Sequence, residues 1–258
     1  MAAATGLRSQ ISVIHALLVR DALARFGHEN LGFFWVIVEP LMFTTGIMVL
    51  WNIIRRTQDD LSITAFALTA YTMLTMFRHM SMGFVHILRN NSGVLYHAHV
   101  KPLDILIARG LLETIGCLAT FFVAYVPLTL LGVIEPMRDP LLLFGGWFLA
   151  AWFSFSFGII VEGLSEMNEV VERLLPPLMY LTLPLTGAFS MQAWFPPKVR
   201  DILSYSPLVN AMEMFRCGMF SADIRTYWSL PYVVVWCFAQ TVVGLLLIEK
   251  ARKYIQMH

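Results

Sequence analysis

Three charged side chains lie where their neighbours are almost wholly apolar. Glu39 stands directly before Pro40 in the run Leu31–Ile54, Arg78 directly before His79 in Ser62–Leu88, and Glu113 within Leu103–Leu131. A lone charge in an apolar medium costs several kcal/mol unless it is paired or neutral. Glu39 lies eight residues in from Leu31 and Arg78 ten before Leu88; at the helical rise these are about 12 and about 15 Å from one face. The matched depth predicts a Glu39–Arg78 ion pair, with Glu113 as the rival partner. The alternative is that both side chains snorkel separately to the membrane surface.

Other polar residues suggest chemistry and then argue against it. Glu162, Glu166, Glu169 and Glu172 follow spacings of four, three and three, which places them on one helix face. That pattern reads as a solvated helix end; a glycosidase-like carboxylate pair is formally allowed. His97 and His99 are two apart, which turns their rings to different faces of a helix and suits a metal poorly. The polar run from Arg89 to Asp104 contains Asn90-Asn91-Ser92-Gly93, a turn signal, and reads as a short helix that docks a partner. There is no G-x-x-x-x-G-K-[ST], no G-x-S-x-G and no H-E-x-x-H sequence. We therefore expect no catalytic residues, metal or cofactor in this chain; any ATP and Mg would be held by a separate polypeptide.

These residues must be carried by membrane elements. Of 258 residues, 58% are apolar and 14% charged, and the mean hydropathy is +0.68. One soluble domain cannot bury so much apolar surface, and disorder needs the opposite composition. A net charge of +1 gives no bulk case for nucleic-acid binding. Spans need roughly 20 apolar residues, and six candidates occur: 31–54, 62–88, 103–131, 140–164, a short proline-broken 174–189, and 228–248. Leu7, Ile11, Ile14, Leu18 and Ala22 form an apolar stripe over residues 1–30, read as a helix in the membrane interface or one packed on a partner. Between spans, Met191–Tyr227 holds a half-polar run, Leu208–Ser221, too short to cross. Its stripe Leu208, Met212, Phe215, Met219 and its pair Glu213, Arg216 suggest a re-entrant helical pair on the outer face. Arginine and lysine gather near Arg8, Arg20, Arg25, Arg89, Lys101, Arg173, Lys250 and Arg252, which places both termini in the cytoplasm. The expectation is an all-α membrane protein of one domain over 1–258: an interface helix (1–30), five spans (31–189), a re-entrant segment (190–227), then the sixth span and tail (228–258).

The run R-F-G-H-E-N-L-G-F-F-W-V-I-V-E-P-L, Arg25 to Leu41, resembles the start of permease subunits of ABC-2 type polysaccharide exporters. Within that group it is most similar to the capsular polysaccharide export permeases. V-K-P-L-D-I-L-I-A-R (Val100–Arg109) and S-P-L-V-N-A-M-E-M-F-R (Ser206–Arg216) are similar to the segments after their first cytoplasmic loop and in their outer region. The resemblance implies the ABC-2 exporter fold, with the re-entrant pair in the periplasm of a bacterial inner-membrane protein. It implies a homodimer on a cytoplasmic ABC ATPase dimer, and a channel lined by the first and fifth spans. Asn90 to His99, with Val94, Tyr96 and His97, would be the main coupling region, and Glu166 and Glu169 would lie in a second contact. Trp35, Tyr180 and Phe189 become channel aromatics. The cargo would be a lipid-linked, usually acidic glycan, passed to a periplasmic co-polymerase or adaptor and an outer-membrane export protein.

Residue chemistry agrees with parts of this. Sugars stack on aromatic faces, and the first span opens with Phe33, Phe34 and Trp35; rings also anchor at lipid interfaces and fill cores. Arg55 and Arg56 could attract an acidic polymer or form a plain solvated loop. The rival functions are an ABC-2 permease for O-antigen, teichoic acid or a drug, a membrane-embedded transferase, and an ion-coupled carrier using Glu39, Arg78 and Glu113. No inverted repeat is visible to support the carrier.

Overall fold

The computed structural model describes residues 2–26, 62–95 and 100–255, together with the helical Met42 and Gly46. Apart from Met42 and Gly46, the expected first span, with Phe33, Phe34, Trp35 and Glu39, lies outside the described residues, as do Arg55, Arg56, Tyr96, His97 and His99. The elements are α1 (Ala2–Phe26), α2 (Ile63–Gly83), α3 (Ile87–Asn90), α4 (Ser92–Leu95), α5 (Pro102–Leu130), α6 (Pro140–Met167) and α7 (Val170–Leu181). Two 3-10 turns follow, Leu183–Thr186 and Gln192–Trp194, then α8 (Pro197–Ser204), α9 (Pro207–Met219) and α10 (Leu230–Ile255). No strand occurs among the described residues.

Proline sets four of the helix starts. Pro102, Pro140, Pro197 and Pro207 each occupy the first turn, where a missing N–H costs nothing and φ is already helical. Asp139 caps α6 by accepting from Leu141 N and Leu142 N at 2.9 and 3.3 Å. Among the described residues, α5, α6 and the Leu230–Arg252 part of α10 are long and apolar enough to cross a membrane.

The core centres on α6, which packs against α10, α9 and α2. Its crossing with α9 is backbone on backbone: a Cβ added to Gly146 would fall 2.3 Å from Phe215 N, and one on Gly218 2.3 Å from Leu143 N. Small residues permit such approach where helices cannot rely on excluding water. α2 is buried on almost every side. Thr69, Thr72 and Ser81 donate their hydroxyls back to Phe66 O, Leu68 O and Phe77 O, so this polar helix presents few unmet groups to its neighbours. Four aromatic residues of α6 act as packing: Phe153 and Phe157 lie against Phe77, Phe155 against Phe84, and Trp147 against Phe215, while Phe144 and Phe148 are exposed.

Several expectations shift. The second helix stops at Gly83 rather than near Leu88, because the chain turns through Phe84–His86, with His86 at φ 51°. The four glutamates do not share a helix face. Asn168 is extended and its side chain accepts from Val170 N at 2.9 Å, a local bond that competes with helix continuation. Glu162 and Glu166 therefore end α6, buried rather than solvated, while the exposed Glu169 and Glu172 open α7. The face by which α1 packs is Val13, Ile14, Leu17 and Leu18; of the expected stripe Ile14 and Leu18 take part, while Ile11 is exposed. Gln10 fixes that face by donating to both carboxylate oxygens of Asp104, at the start of α5.

Candidate functional site

Three polar assemblies stand out. The first surrounds the connection from α2 to α5. α3 begins with N–H groups that have no partner within the helix, although Ile87 N also donates to Phe84 O at 3.2 Å in the preceding turn. Ile87 N and Leu88 N donate to Oε2 and Oε1 of Glu162, both at 3.0 Å. One turn further along α6, Ser165 Oγ accepts from His86 N at 3.2 Å. Glu166 Oε1 lies 3.3 Å from His86 Nδ1, and Glu166 Oε2 accepts from Arg89 Nε and Nη2 at 3.2 and 3.1 Å. His86 Nε2 is 3.4 Å from Glu172 Oε2 on α7. On the far side, Arg20 of α1 donates to Asn91 Oδ1 at 2.6 Å. Asn90 is exposed at the end of α3, and Val94 is half-buried on α4.

The second assembly lies between α2 and α5. Glu113 is buried and pairs with Arg109, one turn before it, at 3.0 Å, and with His79 Nδ1 at 3.3 Å. Arg78 points elsewhere: its guanidinium stands 5.3 Å over the ring of Tyr180. Glu113 is thus brought to the histidine beside Arg78, one residue and about 100° further round the helix. Ligand atoms of His79, Glu113 and Cys117 lie within 4.8 Å of one another, the one group of metal-ligand geometry among the described residues. Arg109 already neutralises that carboxylate and would repel a cation. Tyr180 and Phe189 are 60% and 40% exposed, on the α7 side of the molecule.

The third assembly is the pair singled out on α9. Arg216 is fully buried and donates to Gly187 O, Ser190 O and Ala188 O at 2.9, 3.1 and 3.3 Å. Its guanidinium lies 4.3 Å over the Phe66 ring and 4.0 Å from Glu213. Glu213 accepts from Gln192 N and Tyr227 N at 3.2 and 3.1 Å. Burial pushes the Glu213 carboxyl above its usual range and draws Arg216 down to about 10, each charge holding back the shift of the other. The pair ties four stretches of chain together, a structural task.

Sequence reasoning placed Glu166 in a partner contact but missed Glu162, Ser165 and His86 as a unit. The available signal was two carboxylates and a serine at i, i+4 and i+3 on the end of an apolar run, where charges must find partners.

Long apolar helices, with buried charges held by ion pairs and peptide groups, define a helical membrane protein. Residues 12–220 match the profile of the ABC-2 type transporter family, and the chain belongs to that family. It is 34% identical over 251 residues to the capsule polysaccharide export inner-membrane protein CtrC of Neisseria meningitidis, covering 97% of this chain and 95% of that one. BexB of Haemophilus influenzae, also a capsule polysaccharide export inner-membrane protein, gives the same identity and coverage. The polysialic acid transport protein KpsM of Escherichia coli is 29% identical over 252 residues, 95% of each chain.

Proposed function

We propose that this chain is the membrane-channel subunit of an ATP-driven exporter that carries capsular polysaccharide across a bacterial inner membrane. The observation that carries the reading is 34% identity, over nearly the full length of both chains, to capsule export inner-membrane proteins. The cargo is an acidic glycan with a lipid terminus; similarity to a polysialic acid transport protein supports the acidic part. The chain works as a homodimer on a separate ABC ATPase dimer, which holds ATP and Mg, and hands its glycan to a periplasmic adaptor and an outer-membrane export protein. It crosses the membrane six times with both termini in the cytoplasm. α1 lies in the inner interface, and α8 with α9 forms the re-entrant pair. α7 is the short fifth span; its prolines Pro176 and Pro177 and its exposed Tyr180 suit a channel wall better than a core. The α3–α4 connection, through Asn90, Val94, Tyr96, His97 and His99, receives the ATPase, with Glu169 in a second contact.

Complementation tests this. Supplied with its ATPase to a capsulated strain lacking its own permease, the chain should return polymer from the cytoplasm to the surface. Polymer retained inside, with O-antigen or teichoic acid export restored instead, would refute the capsule assignment.

A further inference from the structure

We propose that Glu162 and Glu166 form the mechanical joint that passes motion of the α3–α4 connection to α6 and α7; both are positioning residues for energy coupling, and the inference rests on the transport reading above. The covalent path from this connection into the membrane is a poor lever. α2 ends at Gly83, and a turn centred on His86 separates it from α3. His86 is the one non-glycine residue with positive φ among the described residues, so the two helices do not run through as one rod. The stiff path is lateral. One turn of α6, comprising Glu162, Ser165 and Glu166, grips four consecutive residues, His86 to Arg89, with both carboxylates fully engaged. Ile87 and Leu88 are buried behind this grip. One buried carboxyl group bound to two peptide N–H groups away from water resists separation, because parting would leave all of these groups unmet. From the same grip, His86 reaches Glu172, which links the connection to the first turn of α7. A push on α3 therefore arrives at α6, and through His86 at α7, before it arrives at α2.

The alternative is an ordinary cap that merely stabilises a short helix, and the two differ in what they uncouple. The complex of permease and ATPase is reconstituted in liposomes with a spin label at Gly93→Cys on α4 or at Leu181→Cys on α7. Gly93 has open space around its Cα, and Leu181 is exposed. In the parent complex, ATP should change both label signals. With Glu162→Ala or Glu166→Gln, the Gly93 label should still respond and the ATPase should still co-purify, while the Leu181 response is lost. Export per ATP should fall about tenfold, within the usual range of coupling between sites. The half-exposed Arg89→Ala serves as a variant that tolerates replacement, with a smaller loss in the same direction. Both labels responding in the variants, or hydrolysis, docking and export all falling in proportion, overturns the joint. A Gly93 label silent to ATP in the parent complex overturns the transport reading itself, a result distinct from failure of the joint.

Discussion

Replacing Arg216 with Met should be among the most damaging single changes in the described part of the chain. The methionine keeps the apolar stem and removes the charge. Three carbonyls, of Gly187, Ala188 and Ser190, lose their donor, the Phe66 ring loses its cation, and Glu213 stays buried without its counterion. Removing one member of a buried pair costs about 3–5 kcal/mol, because the remaining charge is uncompensated. Each lost hydrogen bond to a charged donor is worth about 1.5–3 kcal/mol, but these losses overlap with the first and are not added to it. Glu213 keeps its two backbone donors, which holds the cost near the middle of that range. About 4 kcal/mol corresponds to about a thousandfold in the unfolding equilibrium. Denaturant unfolding in detergent, followed by tryptophan fluorescence, reads it well, since the Trp194 ring lies 5.1 Å from that of Phe66. Adding Glu213→Gln to Arg216→Met should recover about 1–2 kcal/mol, as expected for side chains in contact. A single variant within about 1 kcal/mol of the parent, or strict additivity, would refute the buried-pair argument.

Two further outcomes follow from close contacts and from the exposed connection. In Gly146→Ala the new methyl meets Phe215 N, Phe215 Cα and Ala211 O at 2.3, 2.7 and 2.9 Å; all are backbone, so α6 and α9 must part, at about 1–3 kcal/mol or more. Its control is Gly116→Ala, with nothing within 4 Å of the added atom, which should hold or raise the melting temperature through better helix propensity. Val94→Asp, on the half-buried face of α4, should leave membrane insertion intact while ATP hydrolysis continues without export; paired assays of hydrolysis and surface polymer on one preparation check it.

What could be read from the residues follows the physics of each signal. α5, α6 and α10 were legible because span length and apolarity are properties of composition. Spacing alone also put Glu213 and Arg216 together. Their depth of burial was hidden, because the other partners are peptide groups 14 to 29 residues away and peptide groups carry no sequence signature. The same blindness hid Glu162, whose partners are two backbone N–H groups 74 and 75 residues earlier. Periodicity misled at Asn168, where one side-chain bond to Val170 N ended a helix that the glutamate spacing continued. Depth-matching weighed distance along the axis but not rotation about it: it offered Glu113 as the rival partner of Arg78, while the structure gives Glu113 to His79 and to Arg109 one turn away; the Glu39–Arg78 pair lies partly outside the described residues.

The contrast between α6 and α7 explains why a joint at residues 162–166 would matter. α6 is held at both ends. Asp139 N donates to Gly218 O at 2.9 Å at one end, the glutamate grip closes the other, and glycine contacts bind the length between. A helix so fixed is displaced as a unit. α7 has 12 residues, and only Leu175 and Met179 are buried. Pro176 and Pro177 lack the N–H groups that would meet the carbonyls of Glu172 and Arg173, so its own ladder is interrupted in mid-helix. It is joined to α6 by the short stretch Asn168–Glu169 and to the connection by His86 and Glu172. Of the two neighbours that the grip can move, α7 has the least packing with which to oppose the motion, and it carries Tyr180 beneath Arg78. A displacement entering at His86 to Arg89 is therefore spent on α7 first.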